Sequence, residues 1–236
     1  QLGVRLVGSE MCIRDRYYSS PQERLEMITR RFLIAGMTGV AGALVTPPLV
    51  QLASLTATAS NWEKPDDLAI GEPESPIYLI EYFSLSCSHC RDFHLEIFPR
   101  LRTDYINTGK VRFISRDFPL NRPALDAAIL AQCAGPDRYF AFIETLFNTF
   151  DNWTRAADYL KVLVQIAQLG GVSEAEFKDC LGNGSLEAKI FNTMLDAQET
   201  YDVRSTPTFI INGTKQEGGA NFEKFSKTLD KHLPDT

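Results

Sequence analysis

Residues 77–90, with the sequence IYLIEYFSLSCSHC, hold the pattern that decides the fold. The first seven residues are apolar or aromatic except for Glu81, and such a run is typical of a buried strand. Two cysteines separated by two residues follow this strand. Further along, apolar side chains recur at helical spacing from Phe93 to Tyr105, and Gly109 ends the pattern. The stretch therefore predicts a buried strand that leads through a Cys-x-x-Cys pair into a helix.

The chain downstream alternates between strand and helix patterns. A second strand is predicted near residues 111–114, and amphipathic runs separated by Gly, Pro and Asn fill residues 121 to about 187. Residues 208–211 have strand character again, Asn212-Gly213 is a strong tight-turn signal, and residues 222–233 are predicted to form a closing helix. The order strand, helix, strand, helical block, hairpin and helix predicts an α/β fold with an inserted all-helical domain.

The composition limits the classes of function. The 236 residues are 44% hydrophobic and 23% charged, which is ordinary for a globular protein and excludes a disordered chain, a coiled coil or a collagen-like repeat. The formal net charge of -6 argues against nucleic acid as a partner, because phosphate binding needs clustered lysine and arginine. The five cysteines are too few for a disulfide scaffold of this size, so their placement matters more than their number.

The first 26 residues are left out of the fold prediction. Residues 6–15, LVGSEMCIRD, resemble one reading frame of the adapter used in transposase-based DNA library preparation. We interpret residues 1–26, which include Cys12, as an adapter-derived artefact and upstream residues, with a short native leader as the alternative. Neither interpretation assigns a function to this segment.

Residues 27–59 have the pattern of a secretory signal peptide. The basic pair Arg30-Arg31 precedes an uncharged stretch over residues 32–50, and small residues end at Ala59, where we expect cleavage. The Sec route or the twin-arginine route would deliver residues 60–236 to the periplasm, where disulfides persist. The alternative is an uncleaved membrane anchor, although glycines and prolines interrupt the apolar stretch.

Cys87 and Cys90 lie where the predicted strand passes into the helix. Unpaired backbone N–H groups and the helix dipole favour an anion at this position, so Cys87 is the candidate attacking thiolate. His89, between the two cysteines, can donate to the same sulfur or stabilise its charge. Cys90, one turn into the helix, would be shielded and could resolve a mixed disulfide.

A structural disulfide and half of a zinc site are the alternatives for this pair. Zinc would need two further ligands, but the other histidines are His94 and His232, and the sequence has no second Cys-x-x-Cys. We therefore expect no metal. A single Cys-x-x-Cys at a strand-to-helix junction is the pattern of a redox site.

Thr206-Pro207 at the start of the last strand pair is a second candidate site element. Proline cannot donate to a β-ladder, so it marks an edge or a special turn. If the Thr206-Pro207 bond is cis, the backbone of Thr206 is free to pair with an extended polypeptide beside the cysteines. Taken alone this signal is weak, since most prolines are trans; its combination with the upstream cysteines makes it strong.

With these motifs the chain resembles the DsbA family of thiol:disulfide oxidoreductases, which are thioredoxin-fold proteins with an inserted helical domain. The matching stretches are residues 70–76, EYFSLSCSHC at 81–90, RDFPL at 116–120 and STPTFIING at 205–213. The resemblance implies a thioredoxin-like domain over residues 60–236.

The resemblance also implies roles for individual residues. Cys87 would be the exposed nucleophile, Cys90 its partner, Pro207 the cis-proline and Glu81 a buried acid that relays protons to Cys90. Ser88 departs from the family pattern, because the best-known members have proline there, and this leaves the redox potential open.

Glu81 can also be assessed from its neighbours. Burial in an apolar strand disfavours a charged carboxylate, and a carboxyl group that is readily protonated suits proton transfer during exchange. The alternative is a glutamate at the edge of a sheet that faces water. The apolar neighbours on both sides favour the buried position.

Cys133 and Cys180 both fall in the helical block. In an oxidising compartment the preferred interpretation is a second, structural disulfide between two insertion helices. The alternative is two buried free thiols.

The expected function is the introduction of disulfides into exported proteins that are unfolded or partly folded and carry free thiols. The resemblance implies reoxidation by a quinone-linked membrane oxidase of the DsbB type, and we expect a monomer without a cofactor. A reductase or isomerase with the same site is one alternative. A copper-binding thioredoxin-like module is another, but the chain lacks a methionine-rich or histidine-rich segment.

Overall fold

The computed structural model of the chain describes residues 62–217 and 221–234. The interpretations of residues 1–26 and 27–59 lie outside these ranges. In the described part of the chain no helix combines the length and the apolar character that crossing a membrane requires.

The described residues contain one five-stranded mixed sheet with the order β1-β3-β2-β4-β5. The central strands β2 and β3 are parallel, and the other neighbouring pairs are antiparallel. β2 lies between β3 and β4, and its residues from Leu79 to Tyr82 pair with both neighbours, so they are in the interior of the sheet. The strands are β1 Leu68–Ile70, β2 Ile77–Phe83, β3 Val111–Asp117, β4 Thr208–Ile211 and β5 Thr214–Glu217.

Two features of this sheet bear on the sequence prediction. Strand β1 is absent from the predicted order, because three half-buried residues are too few to show a periodic pattern. The predicted hairpin between β4 and β5 is confirmed, since Asn212 and Gly213 both have positive φ, at 45° and 82°. A Cβ on residue 213 would approach Trp62 Nε1 to 2.8 Å, so glycine also relieves a close contact there.

The helical region that begins at Ser88 is composed of four consecutive segments. The α-helical segments α1, Ser88–Asp92, and α2, Phe98–Leu101, alternate with π-helical segments at Phe93–Ile97 and Arg102–Ile106. The apolar residues of this region repeat every four positions, which is longer than the 3.6-residue turn of an α-helix. The wider turns of the π segments keep these side chains on the face that packs on the sheet.

The helical block follows β3. The predicted insertion at residues 121–187 covers its first helices, but the last one continues to Tyr201. Ser173 and Glu176 form a capping box at the start of the seventh helix, because each side chain accepts from the other residue's backbone N–H. The helices are α3 Arg122–Cys133, α4 Pro136–Asn148, α5 Phe150–Thr154, α6 Tyr159–Leu169, α7 Glu174–Leu181 and α8 Gly184–Tyr201, and α9 Phe222–Asp230 comes after the hairpin.

The buried side chains of the described residues form three clusters. One face of the sheet packs on the π segments and α9, and the opposite face packs on α8. The third cluster joins the end of β2 to the helical block and includes Phe83, Cys90 and Phe147. The helical block therefore forms part of the wall around the cysteine pair.

Candidate active site

The end of β2 and the start of α1 position the two cysteines. Cys87 is the N-cap of α1 with extended backbone, and its carbonyl accepts from the N–H of Arg91. Its side chain is half-buried, whereas Cys90, one turn further on, is fully buried. Both are free thiols in the structure. One sulfur is therefore accessible to a reaction partner and the other is shielded.

The environment of Cys87 favours its thiolate. A hydrogen bond from the Cys90 thiol is the largest cause that lowers the pKa of Cys87, which falls to about 5 even though burial opposes the shift. The backbone N–H groups of Cys90 and His89 lower this pKa further. At neutral pH Cys87 is therefore an anion, and a thiolate is the reactive form of cysteine.

Cys90 is shifted in the opposite direction. Burial is the largest cause that raises the pKa of the Cys90 thiol well above its usual value, and the hydrogen bond with Cys87 and the charge of Glu81 add to it. Over a wide range above pH 5 the pair thus carries one thiolate and one thiol. This difference in pKa gives the two sulfurs different roles: Cys87 can act as the nucleophile, whereas Cys90 stays protonated.

The loop before β4 faces the Cys87 sulfur. The register of β2 and β4 pairs Tyr82 with Thr208, which brings the start of β4 to the end of β2. The Thr206-Pro207 peptide bond is cis, and the Cys87 sulfur lies 3.3 Å from the carbonyl oxygen of Thr206, to which it donates when it is protonated. The structure therefore brings together the two motifs, which lie 119 residues apart in the sequence.

Glu81 lies in the interior of the sheet with an exposed fraction of 0%. It pairs in register with Ser115 of β3 and Phe209 of β4, so the alternative of an edge residue facing water is wrong. Its Oε2 atom lies 2.9 Å from Nε2 of His94. Glu81 is thus a buried carboxyl group with one side-chain partner among the described residues.

His94 belongs to this site but was not predicted as a catalytic residue. The sequence analysis considered it only as a possible zinc ligand. It lies four residues after Cys90, in the π segment that follows α1. Its ring stacks on Phe147 of α4 with centroids 4.5 Å apart and is also close to Phe98. The spacing from Cys90 is the one available signal, since positions i and i+4 share a helix face.

The His89 side chain is exposed and makes no hydrogen bond with any residue in the described ranges. The contribution of His89 that the structure supports is that of its backbone N–H group to the thiolate. The role of the His89 ring stays a prediction.

Cys133 and Cys180 are joined by a disulfide that links the end of α3 to α7. This is the pairing that the sequence analysis preferred. The bond lies within the helical block and closes a loop between residues 47 positions apart.

Asp117, at the end of β3, is a second buried acid near the wall of the site. Burial raises its pKa to about 6, although hydrogen bonds from Gln132 and Tyr139 oppose the shift. Tyr139 also lies within hydrogen-bond distance of Ser115, the register partner of Glu81.

The fold and the site together define a thioredoxin-fold protein with a Cys-x-x-Cys pair opposite a cis-proline loop. Comparison with known proteins agrees: the family model described as thioredoxin matches residues 63–231. The crystal structure of alpha-DsbA1 from Wolbachia pipientis is 34% identical, with a TM-score of 0.67 over 72% of this chain and 92% of that one. The chain belongs to the DsbA family.

Two further comparisons extend this result. A Rickettsia prowazekii protein whose name assigns it provisionally to the protein-disulfide oxidoreductases is 36% identical over 172 residues, 72% of this chain. The match spans 62% of that relative's length. The structure of oxidised BdbD from Bacillus subtilis is 20% identical, covers 70% of this chain and 92% of that one, and shares the fold with a TM-score of 0.64.

Proposed function

We propose that this protein is a periplasmic thiol:disulfide oxidoreductase that introduces disulfides into exported proteins through Cys87 and Cys90. The observation that carries the proposal is the asymmetry of the pair. The half-buried Cys87 has a pKa of about 5, whereas the pKa of the buried Cys90 is raised. The accessible sulfur thus reacts with substrates, and the shielded sulfur acts only within the protein.

In the oxidised protein a substrate thiolate attacks the Cys87 sulfur. The bond between Cys87 and Cys90 breaks, its electron pair moves to the Cys90 sulfur, and the carboxyl group of Glu81 supplies the proton that makes Cys90 a thiol. A second substrate thiolate then attacks the substrate sulfur of the mixed disulfide, and Cys87 leaves as a thiolate. The substrate loses two electrons, and the cysteine pair gains them.

The low pKa of Cys87 supports the oxidising direction. Stabilising its thiolate stabilises the reduced protein at every pH above about 5, because the oxidised protein has no thiol to ionise. Each pKa unit corresponds to about 1.4 kcal/mol, or about 30 mV for a two-electron couple. At pH 7 about two of these units count, because an unperturbed thiol is still protonated there, so the shift of Cys87 makes the pair a stronger oxidant by roughly 60 mV.

The loop at Thr206 and Pro207 is the proposed substrate-binding element. Its backbone lies beside the reactive sulfur, where an extended polypeptide can add to it as a strand. Leu120, which is exposed, has its backbone N–H within hydrogen-bond distance of Ser84 Oγ, near the cysteine loop. An apolar segment of an incompletely folded substrate suits this surface.

The proposed partners and location rest on the family and on the sequence pattern. Exported proteins with free thiols are the substrates, and a DsbB-type membrane oxidase restores the disulfide. The protein acts as a monomer without a cofactor. The signal-peptide pattern in residues 27–59 supports export to the periplasm.

The equilibrium redox potential against glutathione tests the direction of the reaction. We expect a value more oxidising than about -180 mV, the value of a disulfide isomerase. A value near that of thioredoxin, about -270 mV, would instead identify a reductase.

A further inference from the structure

Glu81 is sealed from solvent by its position in the sheet. Its side chain has no exposed surface, and its one hydrogen-bond partner among the described residues is His94. A carboxyl group that donates a proton to Cys90 has to regain that proton before the next turnover. Some neighbouring group must therefore carry protons between Glu81 and water.

His94 borders a cavity of about 350 Å³, which we call the His94 cavity. Glu81 and Cys90 are not among its lining residues, so the imidazole lies between the buried acid and this space. Phe98, Phe140 and Phe147 line the cavity, with the exposed side chains of Arg102 and Glu144 at its rim.

We infer that His94 is a positioning residue that acts through Glu81 and carries protons between Glu81 and the water of the His94 cavity. The inference rests on the proposed function and deepens it. When the bond between Cys87 and Cys90 breaks, Glu81 gives its proton to the Cys90 sulfur. The resulting carboxylate takes a proton from Nε2 of His94, and the imidazole regains a proton from water. During reoxidation each transfer runs in reverse.

The chemistry of imidazole suits this task. A histidine ring can accept a proton at one nitrogen and release one at the other near neutral pH. Stacking on Phe147 holds the ring in place, so Nε2 stays 2.9 Å from the carboxylate. This separation lies within the range for direct proton transfer.

The other groups packed around the ring do not compete for this role. The neighbouring side chains from β2, the π segment, α2 and α4 are the phenyl rings of Phe83, Phe93, Phe98 and Phe147. The titratable groups near His94 are Glu81, which it hydrogen-bonds, and Arg102 and Glu144, which line the same cavity. Cys90 and Tyr139 interact electrostatically with Glu81 rather than with His94. Among the described residues, His94 is thus the one side chain that both hydrogen-bonds Glu81 and lines the His94 cavity.

The test compares the rate at which dithiothreitol reduces the oxidised full chain, measured from pH 5 to pH 8 by thiolate absorbance. We expect His94→Ala to slow this reduction by about 10-fold or more, which is less than the roughly 100-fold or greater effect of a direct proton donor because His94 acts through Glu81. Added imidazole should restore the rate in a concentration-dependent manner, because the deletion opens the space beside Glu81 to the His94 cavity. A structural defect would not respond to imidazole.

Two further variants keep the test decisive. His94→Gln retains a hydrogen-bond donor for Glu81 but cannot relay a proton, so it should be slow and should not respond to imidazole. Leu95→Ala enlarges the same cavity without removing the imidazole and should match the wild type.

The outcomes separate the relay from the proposed function. A wild-type rate in His94→Gln, or a slow His94→Ala that imidazole does not rescue, would overturn the relay and leave the oxidoreductase activity standing. A wild-type protein that does not exchange disulfides at all would overturn the proposed function itself.

Discussion

The two cysteine pairs of this chain differ in every property that controls sulfur chemistry. Cys87 and Cys90 are free, three positions apart and placed at a strand-to-helix junction, where one thiol is acidified and the other is held neutral. Cys133 and Cys180 are bonded to each other across the helical block. The same residue type is thus reactive or structural according to backbone position, burial and hydrogen bonding.

The largest expected effect separates the pairs by activity. Cys87→Ser removes the nucleophile and should abolish the oxidation of a reduced dithiol peptide, a loss of roughly 1,000-fold or more. The matched Cys133→Ser variant should retain the wild-type rate, since its sulfur takes no part in exchange. Equal losses in the two variants would remove the distinction between the pairs.

The second effect distinguishes the two cysteine pairs by their contribution to stability. Removing the helical-block disulfide in the double variant Cys133→Ser, Cys180→Ser should lower the free energy of unfolding by about 2 to 4 kcal/mol. Denaturant unfolding of the double variant against the wild type measures this difference. A stability unchanged within error would show that this disulfide contributes nothing to the fold.

The third prediction concerns the buried acid beneath the reactive pair. Glu81→Gln keeps a group that can hydrogen-bond His94 but cannot donate a proton to Cys90, so reduction by dithiothreitol at a fixed pH should slow by about 100-fold. Asp126→Asn is the matched control, because Asp126 is a buried carboxylate of the helical block that accepts from the Tyr159 hydroxyl. If both variants behave alike, burial of a carboxylate rather than proton transfer at Cys90 explains the effect.

The smallest effect concerns the residue between the reactive cysteines. His89→Ala should raise the pKa of Cys87 by less than about 1 unit, because the exposed ring acts through solvent while the backbone N–H groups remain. The protein would become slightly less oxidising. A thiolate absorbance titration that superimposes on the wild type would show that the ring has no role.

The reactive pair was easier to predict from sequence than its surroundings. Cys87, Cys90 and the Thr206-Pro207 loop carry local motifs, and their resemblance to one family places the motifs side by side. The hairpin at Asn212-Gly213 was equally accessible, because only a few residue types adopt its backbone conformation.

The residues that escaped prediction depend on packing between distant segments. His94 has no motif of its own, and its contacts with Glu81 and Phe147 arise only when the π segment Phe93–Ile97, β2 and α4 come together. The short strand β1 is likewise a strand only because it pairs with β3. Sequence patterns report local periodicity, whereas these features are set by tertiary contacts.

The acidity of Cys87 tests the account most directly. Thiolate absorbance of the reduced protein should show a transition near pH 5, and the reduced protein should lose stability as the pH falls from about 8.5 through 5, because a depressed pKa stabilises the fold only while the thiol is ionised. The oxidised protein should lack this thiol-dependent change. A transition above about pH 8 would contradict the proposal that Cys87 is held as an anion for disulfide exchange.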